Sequence, residues 1–174
     1  MAQTDNGWQL EASAPELYER VMVPASARLW AADLVARAAP KPGQRGLDVA
    51  CGTGIVARFA AAAMGTGHVT GLDINKGMLA VARSRSAGSG LNIEWHEASA
   101  LDLPFPDSSF DLILCQLGLQ FFSRPSPGPT RNDPGFGAEW PPNIERFHCD
   151  RAHASQQCVG RRVGSIPWSS GLGN

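Results

Sequence analysis

The feature that most constrains the fold is a short apolar strand that runs directly into a glycine turn. Residues 46–50 read Gly-Leu-Asp-Val-Ala, and residues 51–54 read Cys-Gly-Thr-Gly before an alanine-rich stretch. Strand, turn and helix in this order form the first half of a β-α-β unit. The pattern repeats along the chain and predicts strands at 46–50, 68–73, 91–96 and 110–115, with helices at 55–64 and 78–85. We therefore expect an α/β protein with a doubly wound parallel sheet, which binds ligands at the carboxyl ends of its strands.

Two glycines and two carboxylates around the first turn are the candidate ligand-binding residues. Gly52 and Gly54 follow the first strand, Asp73 ends the second, and Asp48 lies inside the first. Glycine permits positive φ and close approach of the backbone to a ligand, although a tight turn without a ligand would use the same residues. Asp73 could accept both hydroxyls of a ribose, or it could be a solvated turn residue. A carboxylate buried in a strand needs a partner, so Asp48 indicates a cationic ligand.

A dinucleotide-binding site is the rival interpretation of the same turn. Gly52, Gly54 and Ala57 also fit the G-x-G-x-x-A pattern of nicotinamide-binding folds. In those proteins the helix N-terminus faces a pyrophosphate, which the charge of Asp48 would repel. The sequence therefore favours a cationic ligand over NAD(P) but leaves both open.

Composition narrows the possible partners and the compartment. The 174 residues carry a formal net charge of −1, which argues against electrostatic binding to nucleic acid or to an anionic membrane. No apolar run approaches the ~20 residues of a membrane span, and the N-terminus lacks signal-peptide features. The four cysteines form no CxxC pair, so reduced thiols are expected. These observations predict a cytoplasmic protein without metal, whose oligomeric state the sequence does not indicate.

Three blocks of sequence, in order and at matching spacing, resemble the class I S-adenosylmethionine-dependent methyltransferases. The blocks are residues 46–55, residues 69–82 and the Leu-Pro-Phe-Pro-Asp-Ser-Ser-Phe-Asp stretch at 103–111. The likeness is strongest to the type 11 methyltransferase domain of ubiquinone and menaquinone biosynthesis. It implies a Rossmann-like fold, S-adenosylmethionine as cofactor and a small molecule as methyl acceptor.

The resemblance also assigns roles by position. It places the methionine part of the cofactor at the first turn, the ribose on Asp73, the adenine on the residues that follow, and the methyl-transfer end beside the fourth strand. The implied cofactor-binding residues are Asp48, Ala50, Gly52, Thr53, Gly54, Asp73, Ile74, Met78, Ser99, Ala100, Cys115 and Gln116. Tyr18 resembles a residue that helps to cover the pocket. Ala50 stands where many members have Gly, and Ser99 stands where Asp usually accepts from the adenine amino group. We assign no catalytic base.

The chain divides into three parts. Residues 1–14 are predicted to be a flexible N-terminus, and residues 15–122 are the cofactor-binding domain, which opens with two short helices broken around Pro24. Residues 123–174 hold seven of the 13 prolines and a single leucine. A disordered tail is therefore expected, and the family's sheet would be incomplete. The only candidate for a further strand, at 164–168, contains a proline.

The tail has the properties of a sequence read out of frame. One permissible set of codons for residues 123–146, read one nucleotide later, encodes an amphipathic helix, a turn and an apolar strand, as the family would place there. We hypothesise a frameshift near codon 122. A zinc site from His148, Cys149, His153 and Cys158 is an alternative, but the spacing matches no usual finger pattern. Two functions remain open: a small-molecule methyltransferase, or a fragment that binds the cofactor without catalysis.

Overall fold

The computed structural model describes residues 14–106 and 108–118, together with the backbone of two short strands near the C-terminus. The elements follow the predicted alternation of helix and strand. They are α1 (Ala14–Leu17), a π-helical segment (Tyr18–Ala27), α2 (Arg28–Ala38), β1 (Arg45–Val49), α3 (Ile55–Met64), β2 (His68–Asp73), α4 (Lys76–Ser86), β3 (Ile93–Glu97), β4 (Leu112–Gln116), β5 (Phe147–Cys149) and β6 (Gln157–Arg161).

One sheet carries the fold, with strand order β3-β2-β1-β4-β6-β5. The pairs β1–β2, β2–β3 and β1–β4 are all parallel. The chain moves outward in one direction from β1 to β3 and then crosses back to place β4 on the other side of β1. This reversal creates a switch point between β1 and β4, where doubly wound sheets bind their ligands. The predicted α/β fold with a Rossmann-like parallel sheet is confirmed.

The central strands are apolar because both faces of the sheet are covered. One core cluster joins α2 and α3 to Val69, Leu112 and Leu114, while Ile113 and Cys115 point into a second cluster on the opposite face. Alternate residues of β4 thus enter different cores, as the two-residue period of a strand requires. This packing leaves the carboxyl ends of β1, β2 and β4 as the place where loops and polar groups gather.

The N-terminal helices differ from the prediction of a break around Pro24. The backbone stays helical through Leu17, Ala27 and Arg28, so α1, the π-helical segment and α2 run on without interruption, with Pro24 inside the π-helical segment. A proline in an α-helix removes one hydrogen bond and its ring strikes the carbonyl of the preceding turn. The wider π turn changes that bonding pattern, so the chain continues as a helix where the sequence predicted two.

The region after residue 122 contributes two strands where a disordered tail was expected. β6 pairs antiparallel with β4, from Leu112 opposite Arg161 to Gln116 opposite Gln157, and β5 pairs antiparallel with β6. The edge of β4 offers unpaired N–H and C=O groups, and an added strand satisfies them. The candidate strand at 164–168 lies outside the described residues. Within the described part of the chain, no helix is long and apolar enough to cross a membrane.

Candidate cofactor-binding site

The turn between β1 and α3 (residues 50–54, here the glycine turn) is held in a left-handed backbone conformation. Ala50, Gly52 and Gly54 have φ values of 54°, 53° and 81°. The Gly54 N–H donates to the carbonyl of Cys51 at 2.9 Å, and the Cys51 N–H donates to the carbonyl of Leu72 in β2 at 2.9 Å. The turn is therefore fixed both to itself and to the neighbouring strand.

Asp73 joins the glycine turn to the end of β2. Its Oδ2 accepts a hydrogen bond from the Gly52 N–H at 2.8 Å, and its Oδ1 accepts one from the Asn75 N–H at 2.8 Å. Burial raises the pKa of the Asp73 carboxyl, and these backbone hydrogen bonds oppose the shift. The Ile74 N–H is a third backbone donor to this carboxylate, and with two lone pairs on each oxygen the group can still accept a bond from a ligand hydroxyl.

Asp48 is a buried acid at the N-terminus of α3. Its side chain is 1% exposed, and its Oδ2 accepts a hydrogen bond from the Ala57 N–H at 3.0 Å. It thereby caps one of the free N–H groups of the first helical turn, since the helix has no other side-chain cap. Burial raises the pKa of the Asp48 carboxyl to about 8, and the charge of Asp73 adds to the rise. A cation bound beside the two acids would stabilise their ionised forms.

Trp95 forms the floor beneath the glycine turn. A Cβ atom added at Gly54 or at Gly71 would overlap its indole ring, and its Nε1–H donates to Ser86 Oγ at 3.2 Å. This residue was not predicted from the sequence to belong to the site. Its position in β3, directly opposite Gly71 of β2, is the signal that could have identified it, because a large ring needs a small neighbour across the strands.

Residues 14–27, here the cover segment, lie against the ligand-binding edge of the sheet. Tyr18 is partly buried, and burial raises its pKa, with further contributions from the charges of Glu19, Asp73 and Asp48. Glu19 accepts a hydrogen bond from Arg58 Nη2 at 3.0 Å. The interpretation of Tyr18 as a residue near the pocket thus agrees with its electrostatic surroundings. The sequence analysis did not single out Glu19 or Arg58.

The residues assigned to adenine follow the ends of β2 and β3. Ile74 is 59% exposed, which is unusual for a large apolar side chain beside two acids. Met78 lies in the first turn of α4, and its N–H donates to the capping Asn75 Oδ1 at 3.1 Å. Ser99 Oγ accepts from the Leu101 N–H at 3.1 Å, and the second lone pair of a hydroxyl oxygen can accept another hydrogen bond. Ala100 is partly buried on the second core cluster.

Cys115 and Gln116 end β4. Cys115 is fully buried in the second core cluster. Gln116 Nε2 donates to the carbonyl of Ala27 at 3.1 Å, which ties β4 to the end of the cover segment. Within the described residues, its Oε1 is buried without a hydrogen-bond partner.

The twelve predicted residues therefore belong to one edge of the sheet. They occupy the glycine turn, the ends of β1, β2 and β4, the first turn of α4, and the loop after β3. The side chains described by the structure contain no cluster of acids, cysteines and histidines that could hold a metal. The side chains of the four residues considered for zinc lie outside that description.

Comparison with known proteins agrees with this geometry. A family model described as a methyltransferase domain matches residues 47–129. The chain is 44% identical over 96 residues to a 2-phytyl-1,4-naphtoquinone methyltransferase of Synechococcus elongatus, covering 53% of this chain and 41% of the relative. It is 46% identical over 98 residues to a ubiquinone/menaquinone biosynthesis C-methyltransferase of Brucella anthropi, covering 53% of this chain and 37% of the relative. The chain thus spans about two fifths of the length of these relatives.

The fold likeness extends further than the sequence likeness. An S-adenosyl-L-methionine-dependent methyltransferase from Methanococcus maripaludis superposes with a TM-score of 0.56 at 18% identity, covering 71% of this chain and 57% of that one. Residues 47–129, just under half of the chain, therefore match a methyltransferase domain, and the fold is that of the Rossmann-like methyltransferases.

Proposed function

We propose that this site binds S-adenosylmethionine and that the chain serves methyl transfer to a small molecule. The observation that carries the proposal is the pair of acids beside the glycine turn, of which Asp48 is buried and Asp73 is partly buried. Burial disfavours the ionised forms of both carboxyls. A cationic nucleoside would stabilise those ionised forms, whereas a diphosphate would oppose them, so the cationic nucleoside is the better match to the site.

The residues of the glycine turn fit the amino-acid part of this cofactor. Ala50, Gly52 and Gly54 turn the backbone at positive φ, which lets main-chain groups approach a ligand. Thr53 Oγ1 is buried and has no hydrogen-bond partner among the described residues. A buried polar atom without a partner is costly, and an ammonium group offers three donors that could satisfy such atoms. Asp48 would supply the opposite charge.

The residues after β2 and β3 fit the nucleoside part. Asp73 would accept the ribose hydroxyls, and Ile74 and Met78 would pack on the adenine, which accounts for the exposure of Ile74. Ser99 and Ala100 would edge the purine. A serine hydroxyl accepts without the charge of an aspartate, so the contact to the adenine amino group would be weaker than in relatives with Asp.

For methyl transfer, the protein has mainly to position the two reactants and to exclude water from the site. When bound, the cofactor supplies a methyl group activated by its sulfonium. Cys115 and Gln116 would line that end, and the bond from Gln116 to Ala27 would hold the cover segment over it. Orientation of two reactants accounts for a large share of such a rate enhancement, so no catalytic base is assigned.

The relatives indicate the class of methyl acceptor. The two described above are named as methyltransferases of naphthoquinone and of ubiquinone or menaquinone biosynthesis. We therefore propose a small aromatic acceptor of the quinol or phenol type. Neither nucleic acid nor membrane is proposed as a partner, and the predicted cytoplasmic location can be checked by cell fractionation.

Calorimetric titration of the purified chain with S-adenosylmethionine tests the proposal directly. We expect saturable binding that weakens at least tenfold in Asp73→Asn and is unchanged in Asp102→Asn, which alters an exposed acid. NADH serves as the competing ligand from the rival interpretation. Binding of NADH with no binding of S-adenosylmethionine would overturn the proposal.

A second candidate function is cofactor binding without catalysis. The observation that favours it is β6, which runs antiparallel to β4, whereas a helical crossover would return a parallel strand there. This fits the proposed division of the chain, with residues 123–174 read out of frame. Sequencing the encoding gene tests the frameshift. A chain that binds S-adenosylmethionine but releases no S-adenosylhomocysteine with quinol or phenol acceptors would support the non-catalytic function.

A further inference from the structure

Glu19, in the cover segment, is a buried acid of which only one carboxylate oxygen has a hydrogen-bond partner among the described residues. Its side chain is 8% exposed. One oxygen, Oε1, accepts from Arg58 Nη2 at 3.0 Å and lies 3.5 Å from Arg85 Nε. The other oxygen, Oε2, is buried and has no hydrogen-bond partner in the described part of the chain. A half-satisfied buried carboxylate is expensive to maintain.

Arg58 links this acid to the glycine turn. While Nη2 of its guanidinium binds Glu19, Nη1 donates to the carbonyl of Thr53 at 2.6 Å. Thr53 is 1% exposed, and its Oγ1 is the second buried oxygen without a partner among these residues. One guanidinium therefore links two residues that each keep a buried oxygen without a hydrogen-bond partner among the described residues.

We propose that Glu19 is a cofactor-positioning residue, whose Oε2 acts with Thr53 Oγ1 to accept hydrogen bonds from the ammonium group of the ligand, directly or through one ordered water. This inference rests on the function proposed above. It adds a contact between the cover segment and the ligand bound in that site. An ammonium group has three donors and can bind both oxygens at once. The cover segment then recognises the amino-acid end of the ligand in addition to covering it.

The affinities of two nucleosides distinguish a cofactor-positioning role of Glu19 from a purely structural role. S-Adenosylmethionine carries the ammonium group, whereas 5′-deoxy-5′-methylthioadenosine keeps the adenosine and the sulfur but lacks the amino acid. Glu19→Gln keeps the size of the side chain and removes its charge. We expect this variant to bind S-adenosylmethionine about tenfold more weakly, as for loss of one charge-assisted hydrogen bond, and to bind the thioether as the unchanged protein does.

A matched variant on the same segment controls for surface charge. Glu16 lies one turn before Glu19 and is exposed, so Glu16→Gln should leave both affinities unchanged. Thermal unfolding of each variant verifies that it is folded. Equal weakening of both ligands by Glu19→Gln, or weakening of neither, would overturn the positioning role.

Thr53→Val keeps the test decisive if Glu19→Gln does not fold. Valine matches threonine in shape and removes a hydroxyl that has no hydrogen-bond partner among the described residues, so the variant should fold at least as stably. We expect it to weaken S-adenosylmethionine severalfold and to spare the thioether. Failure of the unchanged protein to bind either nucleoside would overturn the proposed function itself. Binding of both nucleosides with unaltered affinities in Thr53→Val would overturn this inference alone.

Discussion

Asp48 shows how a residue proposed to bind a ligand can work against the stability of the fold that carries it. Its pKa lies at about 8 in the folded protein, against an ordinary value of 3.8, because burial disfavours the charged carboxylate. The folded state therefore holds the proton more tightly than the unfolded state does. The stability contributed by this proton is complete below about pH 4 and is lost as the pH rises toward about 8.

Asp48→Asn is predicted to stabilise the chain at neutral pH while weakening cofactor binding. The amide can still accept from the Ala57 N–H without a buried charge, and we expect the free energy of unfolding to rise by about 1–3 kcal/mol at pH 8 and by little at pH 4. Urea unfolding at both pH values measures this, with Asp102→Asn as the exposed control. A gain of equal size at the two pH values would contradict the assigned pKa.

The backbone of Ala50 is strained, which fits the frequent use of glycine at this position in the methyltransferases that the chain resembles. Its φ of 54° is unfavourable for any residue with a Cβ. Ala50→Gly should raise the free energy of unfolding by about 0.5 kcal/mol, after the greater freedom of glycine in the unfolded chain is subtracted. Ala62 is exposed in α3, where the backbone is helical and unstrained. Ala62→Gly should therefore lower the free energy of unfolding by about 1 kcal/mol. Denaturant titration of both variants measures the sign of each change in the free energy of unfolding. A lower free energy of unfolding in both variants would refute the assignment of strain to Ala50.

At the level of elements, the sequence predicted what depends on local pattern and missed what depends on contacts between distant residues. The alternation of apolar runs located β1 to β4, α3 and α4 within two residues at nearly every end, because the period of apolar residues reports burial. The π-helical segment was missed, since a proline usually predicts a break. Glu19 and Arg58 were missed because they are 39 positions apart, and nothing in either local sequence indicates the other.

The packing of the glycine turn on β3 gives a prediction at this scale. Gly54→Ala places a Cβ inside the ring of Trp95 at a φ of 81°, and we expect it to cost about 2–4 kcal/mol of stability and to abolish cofactor binding. Gly43 has a similar φ of 79° but open space around it. Gly43→Ala should therefore cost only about 1 kcal/mol for backbone strain and leave binding intact.

The comparison of the two glycine variants isolates the steric effect of Trp95. Chemical denaturation gives both stabilities, and calorimetry gives both affinities. Equal losses at Gly43 and Gly54 would mean that the indole ring does not limit the turn.

For the molecule as a whole, coverage of the edge of β4 determines how well the sheet is protected against pairing with other chains. β6 pairs along all five residues of β4, with Val159 opposite Leu114, and an uncovered apolar edge would recruit other chains. Val159→Pro removes a backbone N–H from the pairing, so we expect about 3 kcal/mol lower stability and association into larger species. Val159→Ala keeps the N–H and is the matched control.

Size-exclusion chromatography with light scattering detects the predicted association of Val159→Pro. Unchanged elution and stability in this variant would show that β4 does not depend on β6. That outcome would favour the disordered tail expected from the sequence.

The hydrogen bond from Gln116 to Ala27 joins residues 89 positions apart, and it has a consequence for the order in which the molecule can be assembled on the ribosome. The cover segment is synthesised first, yet the groups that hold it, Arg58 in α3 and Gln116 at the end of β4, emerge much later. Long-range contacts form only after the intervening chain is available. The cover segment must therefore remain undocked until nearly all of the parallel sheet has been synthesised. During that time its exposed apolar side chains, Leu17, Val21 and Met22, are already accessible.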